Sequence, residues 1–184
     1  MRIIYLLLFR ILGWKIIGEP PRHLKKYIIV VAPHTSNWDF FLGLATRSIQ
    51  RFPANFLGKK ELFRSPYGWI FRKLGGYSVD RKSSTHLVDQ IVAIAKREEQ
   101  FIIAIAPEGT RKTVDKWKTG FYHIAQGAEI PMVLVAVDYP ERRLYWSTPI
   151  IPSGNLEKDA VIIDRFFEGK RGKYRTAAKV LGKG

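Results

Sequence analysis

His34 and Asp39 lie five residues apart in the run Pro33-His34-Thr35-Ser36-Asn37-Trp38-Asp39. On one continuous helix that offset turns two side chains about 140° apart, so they could not meet. With His34 in a loop and Asp39 in the first turn of the helix that follows, they can. The carboxylate then holds one ring nitrogen while the other takes a proton from an attacking hydroxyl, which is general-base chemistry by an oriented imidazole. A second loaded run is Glu108-Gly109-Thr110-Arg111. Gly109 permits close backbone approach, Thr110 offers a hydroxyl, and Arg111 offers a planar fork that matches phosphate oxygens. Each run is weak evidence by itself. Asp39 also reads as an ordinary first-turn acid favoured by the helix dipole, and Glu108 and Arg111 also read as a local pair at a turn.

What positions both runs is the alternation of apolar strands and periodic helices around them. Residues 27–32 and 101–106 are continuous β-branched and alanine runs, as in strands buried on both faces, and each ends just before one of the loaded junctions. Further strands are predicted at 55–58, 77–80 and 131–137, with 142–147 as an antiparallel partner of the last. Helices are predicted at 36–50 (capped by Ser36 or Asn37), 66–74 (opened by Pro66), 84–97, 119–128 and 156–167. This pattern predicts an α/β fold: one domain with a mostly parallel mixed sheet flanked by helices, in which ligand sites gather where strands end.

Thirty-one Lys and Arg against sixteen Asp and Glu leave a net charge of +15 in 184 residues, a field that favours anionic partners. There are no cysteines, which excludes disulfides, thiolate catalysis and cysteine-based zinc sites. Residues 1–18, MRIIYLLLFRILGWKIIG, are too short and too charged to span a membrane, and Arg10 interrupts any signal-peptide core. They are expected to form an interfacial, membrane-associating helix ended by Gly18 and the Pro20-Pro21 pair. The domain proper is expected at 19–167. The tail at 168–184 carries six basic residues and one acid, and reads as a basic arm. Trp14, Tyr67 and Trp69 are candidates for a headgroup boundary, and Trp38 for that boundary or for core packing alike. His23, His86 and His123 have no metal-like partner at i+4 and read as surface or structural.

Other chemistries find little support. No RNA-binding, zinc-finger or helix-turn-helix signature accompanies the charge, so a basic nucleic-acid-binding module is the distant alternative. Gly76-Tyr77-Ser78-Val79-Asp80 lacks the second glycine of a nucleophile elbow, and no Walker-type phosphate loop is present.

Taken together the runs are more specific than either alone. HTSNWD at 34–39, KKELFRSPYGWIFRKLGGYSVDR at 59–81, APEGTR at 106–111 and IPMVLVAV at 130–137 resemble, in order, the four blocks of the glycerolipid acyltransferases. The similarity is greatest to the 1-acylglycerol-3-phosphate (lysophosphatidate) acyltransferases, and it runs from about 27 to 139. Ala106 departs from the pattern, standing where many members carry an aromatic residue.

The resemblance implies an O-acyltransferase of phospholipid synthesis at the cytoplasmic face of a membrane, peripheral or monotopic. The partners it implies are an anionic lipid surface, a lipid acceptor and acyl-CoA or acyl carrier protein as co-substrate, with no metal or other cofactor and no nucleic acid. His34 would be the general base of the His-x4-Asp motif and Asp39 its orienting partner. Arg81, Glu108, Gly109, Thr110 and Arg111 would bind the acceptor, Arg111 contacting its phosphate, with Lys59 assisting. Pro131 would serve packing or donor binding. Oxyanion donors are expected among backbone N–H groups near Gly109 or at the helix after His34. A different hydroxylated lipid is the alternative acceptor.

Overall fold

A computed structural model describes residues 2–79, 84–112, 114–174 and 179–181, with the backbone alone described at 59 and 84–86. The elements run α1 (Arg2–Ile11), β1 (Lys15–Ile17), β2 (Lys26–Ala32), α2 (Trp38–Gln50), β3 (Asn55–Lys59), α3 (Lys60–Arg64), α4 (Gly68–Lys73) and β4 (Gly76–Val79). They continue with α5 (Ser84–Arg97), β5 (Phe101–Ile105), α6 (Gly120–Ala128), β6 (Met132–Asp138), β7 (Arg143–Trp146) and α7 (Leu156–Phe167). The strands form one sheet in the order β1-β7-β6-β2-β5-β3-β4, parallel throughout except between β6 and β7.

The two central strands explain the expected fold class. β2 and β6 are flanked on both edges, and every residue of β6 is buried, so an uninterrupted apolar run suits them better than alternation. Side chains of β2 divide between two cores. Tyr27 and Ile29 face α1 and α2, in a core with Phe9, Ala45 and Val135. Ile28, Val30 and Ala32 face α5, α6 and α7, packing with Ile91, Phe121, Ile124 and Ile163. Because β6, β2, β5, β3 and β4 are mutually parallel, their carboxyl ends share one edge of the sheet. His34, Lys59, Glu108 and Tyr139 all lie at or just beyond that edge.

Three local expectations are corrected. The first helix ends at Ile11 rather than continuing to 18. Gly13 takes φ +71°, its N–H reaches Arg10 O (3.2 Å), and Trp14 N–H reaches Phe9 O (2.8 Å). This is a Schellman termination, closed by the Phe9–Trp14 ring contact at 6.3 Å. Released from the helix, Lys15–Ile17 adds to the sheet edge as β1, parallel to β7. The helix expected at 66–74 forms as α4 but opens two residues later, at Gly68, and a short helix not expected from the sequence, α3, precedes it. Pro66 has no N–H to offer Leu62 O, and the Ser65 hydroxyl takes that carbonyl instead (2.9 Å), separating α3 from α4.

The tail, third, is no free arm over its described residues. Arg171 O accepts from Tyr139 N–H (2.8 Å), Lys179 O accepts from Trp117 N–H (3.1 Å), and Val180 N–H donates to Asp164 Oδ1 (2.8 Å). Val180 is buried in the core shared with α6 and α7. An apolar anchor at Val180 holds this part of a basic segment to the domain.

The helix termini give a paired stability test. Gly13→Ala forces a Cβ into the left-handed region and is expected to destabilise by about 1–2 kcal/mol. Gly43→Ala, inside α2 where an added Cβ meets nothing within 4 Å, is expected to stabilise by roughly 0.5–1 kcal/mol. Thermal midpoints of the two variants should move in opposite directions, each by a few degrees.

Candidate active site

The His34 loop starts from the end of β2, through the cis Ala32–Pro33 peptide. His34 Nδ1 lies 3.1 Å from Asp39 Oδ2, with His34 in the loop and Asp39 in the first turn of α2. The same Oδ2 accepts the backbone N–H groups of Thr35 (2.8 Å) and Ser36 (2.9 Å). Asp39 Oδ1 accepts the Tyr139 hydroxyl at 2.6 Å. The carboxylate side chain is 2% exposed and the imidazole 28%, so the anion is enclosed while the ring opens toward the cleft.

These contacts set the charge state of Asp39. Burial pushes its carboxyl upward, but the hydrogen bonds from His34, Tyr139 and the Ser36 backbone, with the His34 charge, outweigh it and leave the group below its ordinary value of 3.8. Burial and the neighbouring carboxylate push the Tyr139 phenol well above its usual range, so it remains a donor. Of the two caps expected for α2, Asn37 makes no side-chain capping bond, whereas Ser36 Oγ accepts the Trp38 N–H at 3.2 Å.

The second junction meets the first through Glu108. This residue is 5% exposed, and its Oε2 accepts the His34 backbone N–H at 3.1 Å. Glu108 therefore ties the loop after β5 to the loop after β2. It does not line the cleft, whereas Gly109, Thr110 and Arg111 do. Gly109 has φ +65°, and a Cβ there would meet the Lys118 side chain at 3.2 Å. Thr110 Oγ1 accepts the Lys112 N–H (3.2 Å), and Arg111 is exposed on the rim.

Several expected oxyanion donors are already engaged within the protein. Gly109 N–H goes to Ala106 O, Thr35 and Ser36 N–H to Asp39, and Trp38 N–H to Ser36 Oγ. Arg81 lies outside the described residues. Lys59 closes β3 at the same sheet edge.

His34, with Asp39 behind it, opens onto a cleft of about 1420 Å³. Phe40, Leu44, Phe52, Phe56 and Trp146 give it apolar walls, while Arg111, Lys116 and Lys118 add positive charge. Two residues of the site were not singled out in the sequence. Lys118 is separated from Gly109 by a stretch with no periodic signal. Tyr139 follows β6 directly, and the rule that sites gather beyond parallel strand ends would have pointed to it. Among the described residues, no three His, Asp or Glu side chains gather closely enough to hold a metal ion.

Fold and site first define a class: an open α/β domain that holds a histidine against a buried carboxylate at the mouth of an apolar cleft. The chain matches the family described as Acyltransferase over residues 15–138, and it belongs to that family. It is 32% identical over 135 residues to 1-acyl-sn-glycerol-3-phosphate acyltransferase of Saccharomyces cerevisiae, covering 67% of this chain and 42% of that one. It is 28% identical over 133 residues to the Salmonella typhimurium protein of the same name (68% and 53%). With the Escherichia coli protein it shares 26% over 140 residues (72% and 56%). The chain thus spans about half the length of these relatives. In fold it is similar to the 1-acyl-sn-glycerophosphate (LPA) acyltransferase PlsC from Thermotoga maritima. The TM-score is 0.59 over 92% of this chain and 79% of that one, at 18% identity.

The charge state of Asp39 has a measurable consequence. A carboxyl whose folded value is depressed adds stability that is present above its unfolded value and lost as pH falls through the folded one. The stability gap between wild type and Asp39→Asn is therefore expected to be widest above about pH 5 and to close as pH falls below about 4. Chemical denaturation at stepped pH reads it directly. A gap independent of pH would contradict the assigned charge.

Proposed function

We propose that this protein transfers a fatty acyl group from a thioester, acyl-CoA or acyl carrier protein, to the free hydroxyl of a lysophosphatidate-like glycerophospholipid. The observation that carries this reading is the His34–Asp39 pair, with Nδ1 held at 3.1 Å and the ring open to an apolar cleft. The family and the names of the curated relatives support it.

Chemically, His34 Nε2 removes the proton as the acceptor hydroxyl oxygen attacks the thioester carbonyl carbon. The resulting tetrahedral centre collapses, the C–S bond breaks, and the thiolate recovers the proton from the imidazolium. The ester forms directly, with no acyl-enzyme. Asp39 holds the ring and stabilises its transient positive charge. Arg111, with Lys118 and Lys116 on the same rim, supplies cations for the acceptor's phosphate. The apolar walls suit an acyl chain, which gains from burial of each methylene.

Delivery of such substrates favours a lipid surface. α1 leaves Ile3 72%, Ile4 56%, Leu7 54% and Ile11 77% exposed, with Arg2 and Arg10 on the same helix. Among the described residues no helix is long and apolar enough to cross a membrane. An apolar face with flanking cations is the pattern of an interfacial helix on an anionic bilayer. Trp69 and Tyr67 are also exposed, as is Trp38, which was a candidate for the core. Trp14, by contrast, is half-buried and packs against Phe9 and Tyr139.

Purified wild type and His34→Ala should be compared for transfer of labelled acyl groups to lysophosphatidate, glycerol-3-phosphate and other lysolipids. His34→Ala is expected to lose roughly 10²–10⁴ of the rate, the share a positioned base supplies. Arg111→Ala should act chiefly through the acceptor KM. Equal turnover in the His34 variant would refute the mechanism, and an Arg111 effect confined to the donor would reassign that side chain.

Docking is checked separately. Replacing Ile3, Ile4, Leu7 and Ile11 together by Ser is expected to abolish most co-sedimentation with vesicles containing phosphatidylglycerol. Undiminished pelleting would leave α1 a role within the fold alone.

A further inference from the structure

The geometry points to Tyr139 as a positioning residue of the dyad, one that fixes the Asp39 carboxylate so that its other oxygen faces His34. The inference rests on the proposed role of His34 as base and goes beyond it. Asp39 has two oxygens with distinct tasks. Oδ2 serves His34 Nδ1 and two backbone N–H groups of the preceding loop. Oδ1 receives the Tyr139 hydroxyl at 2.6 Å, from 100 residues away in the chain. A carboxylate free to rotate about its Cβ–Cγ bond could present either oxygen to the ring. A short, charge-assisted bond from a rigid donor removes that freedom.

Tyr139 is itself held on several sides. It is the first residue beyond β6, a fully buried strand paired on both edges. Its N–H donates to Arg171 O (2.8 Å). Its ring takes the edge of Trp14 at a centroid separation of 5.2 Å and 89° between planes. Trp14 in turn closes the end of α1 against Phe9. The donor that orients Asp39 is thus assembled from β6, the segment after α7 and the end of α1, none of them adjacent in sequence to the dyad.

Tyr139 touches no reacting atom. Its action through Asp39 and then His34 should appear in turnover and leave substrate binding alone. Tyr139→Phe keeps the ring that packs on Trp14 and removes the one oxygen in question. Its kcat is expected to fall about tenfold, a fraction of what a positioned base contributes, with KM for donor and acceptor within about twofold of wild type.

A second readout needs no turnover. In the full-length chain labelled with ¹⁵N-histidine, the proton on His34 Nδ1 is expected to shift between wild type and Tyr139→Phe. The wild-type spectrum should also show a low-field hydroxyl proton that the variant lacks. Unchanged kcat, a loss confined to KM, an unmoved His34 resonance, or no such hydroxyl proton in wild type would each overturn the assignment. Assayed in parallel, His34→Ala separates the two failures. If that variant retains full turnover, the base assignment fails; if it is inactive while Tyr139→Phe is unimpaired, only the inference about Tyr139 fails.

Discussion

A carboxylate taken out of water must be given partners in return, and Asp39 shows how much of a fold that requirement can organise. An ionised group buried without compensation is strongly unfavourable, so its neighbours must supply hydrogen bonds from fixed positions. Asp39 receives them from two backbone amides of the preceding loop, from an imidazole, and from a phenol just beyond β6. The sharp turn out of β2, the start of α2 and the carboxyl end of β6 have to register against one another for all four to converge. The parallel sheet provides that register, because adjacent strands bring their carboxyl ends to one edge.

Glu108 extends the same logic to the next strand. Its carboxylate takes the His34 N–H, so the loop after β5 is locked to the loop after β2. One acidic side chain therefore connects the two sequence blocks, and the glycine, threonine and arginine that follow it are aimed into the cleft as a result. The block has an internal division of labour: its acid builds the junction, and its later residues face whatever the cleft receives.

Much of this was legible from local pattern. β2, β5 and β6 announce themselves as nearly unbroken apolar runs rich in Ile and Val, and α5 and α7 as long periodic segments whose bounds match the expected ones. The dyad was legible because a loop–helix boundary falls between His34 and Asp39. What was not legible depends on separations of many residues or on a choice between equivalent signals. Gly13 and Gly18 are both plausible helix stops, and both take positive φ; the ring contact between Phe9 and Trp14 favours the earlier one. The basic tail reads as a free arm because its charges outnumber Val180, yet over its described residues the buried Val180 side chain and three backbone hydrogen bonds hold it to the domain. The Tyr139–Asp39 bond follows from strand order, a property of the assembled sheet that no window of sequence contains.

The way α1 is fastened has a geometric consequence. At one end the Arg2 guanidinium donates to Ile49 O (3.2 Å), and at the other the chain passes through Gly13 into an edge strand of the sheet. A helix pinned at both ends cannot swing like a hinged float. Whatever apolar surface takes up Ile3, Ile4, Leu7 and Ile11 meets the domain in a single pose, with the mouth of the cleft at a set height and azimuth. On the proposed reading, adsorption would then be an alignment step, exchanging a three-dimensional search over orientations for lateral diffusion in a plane.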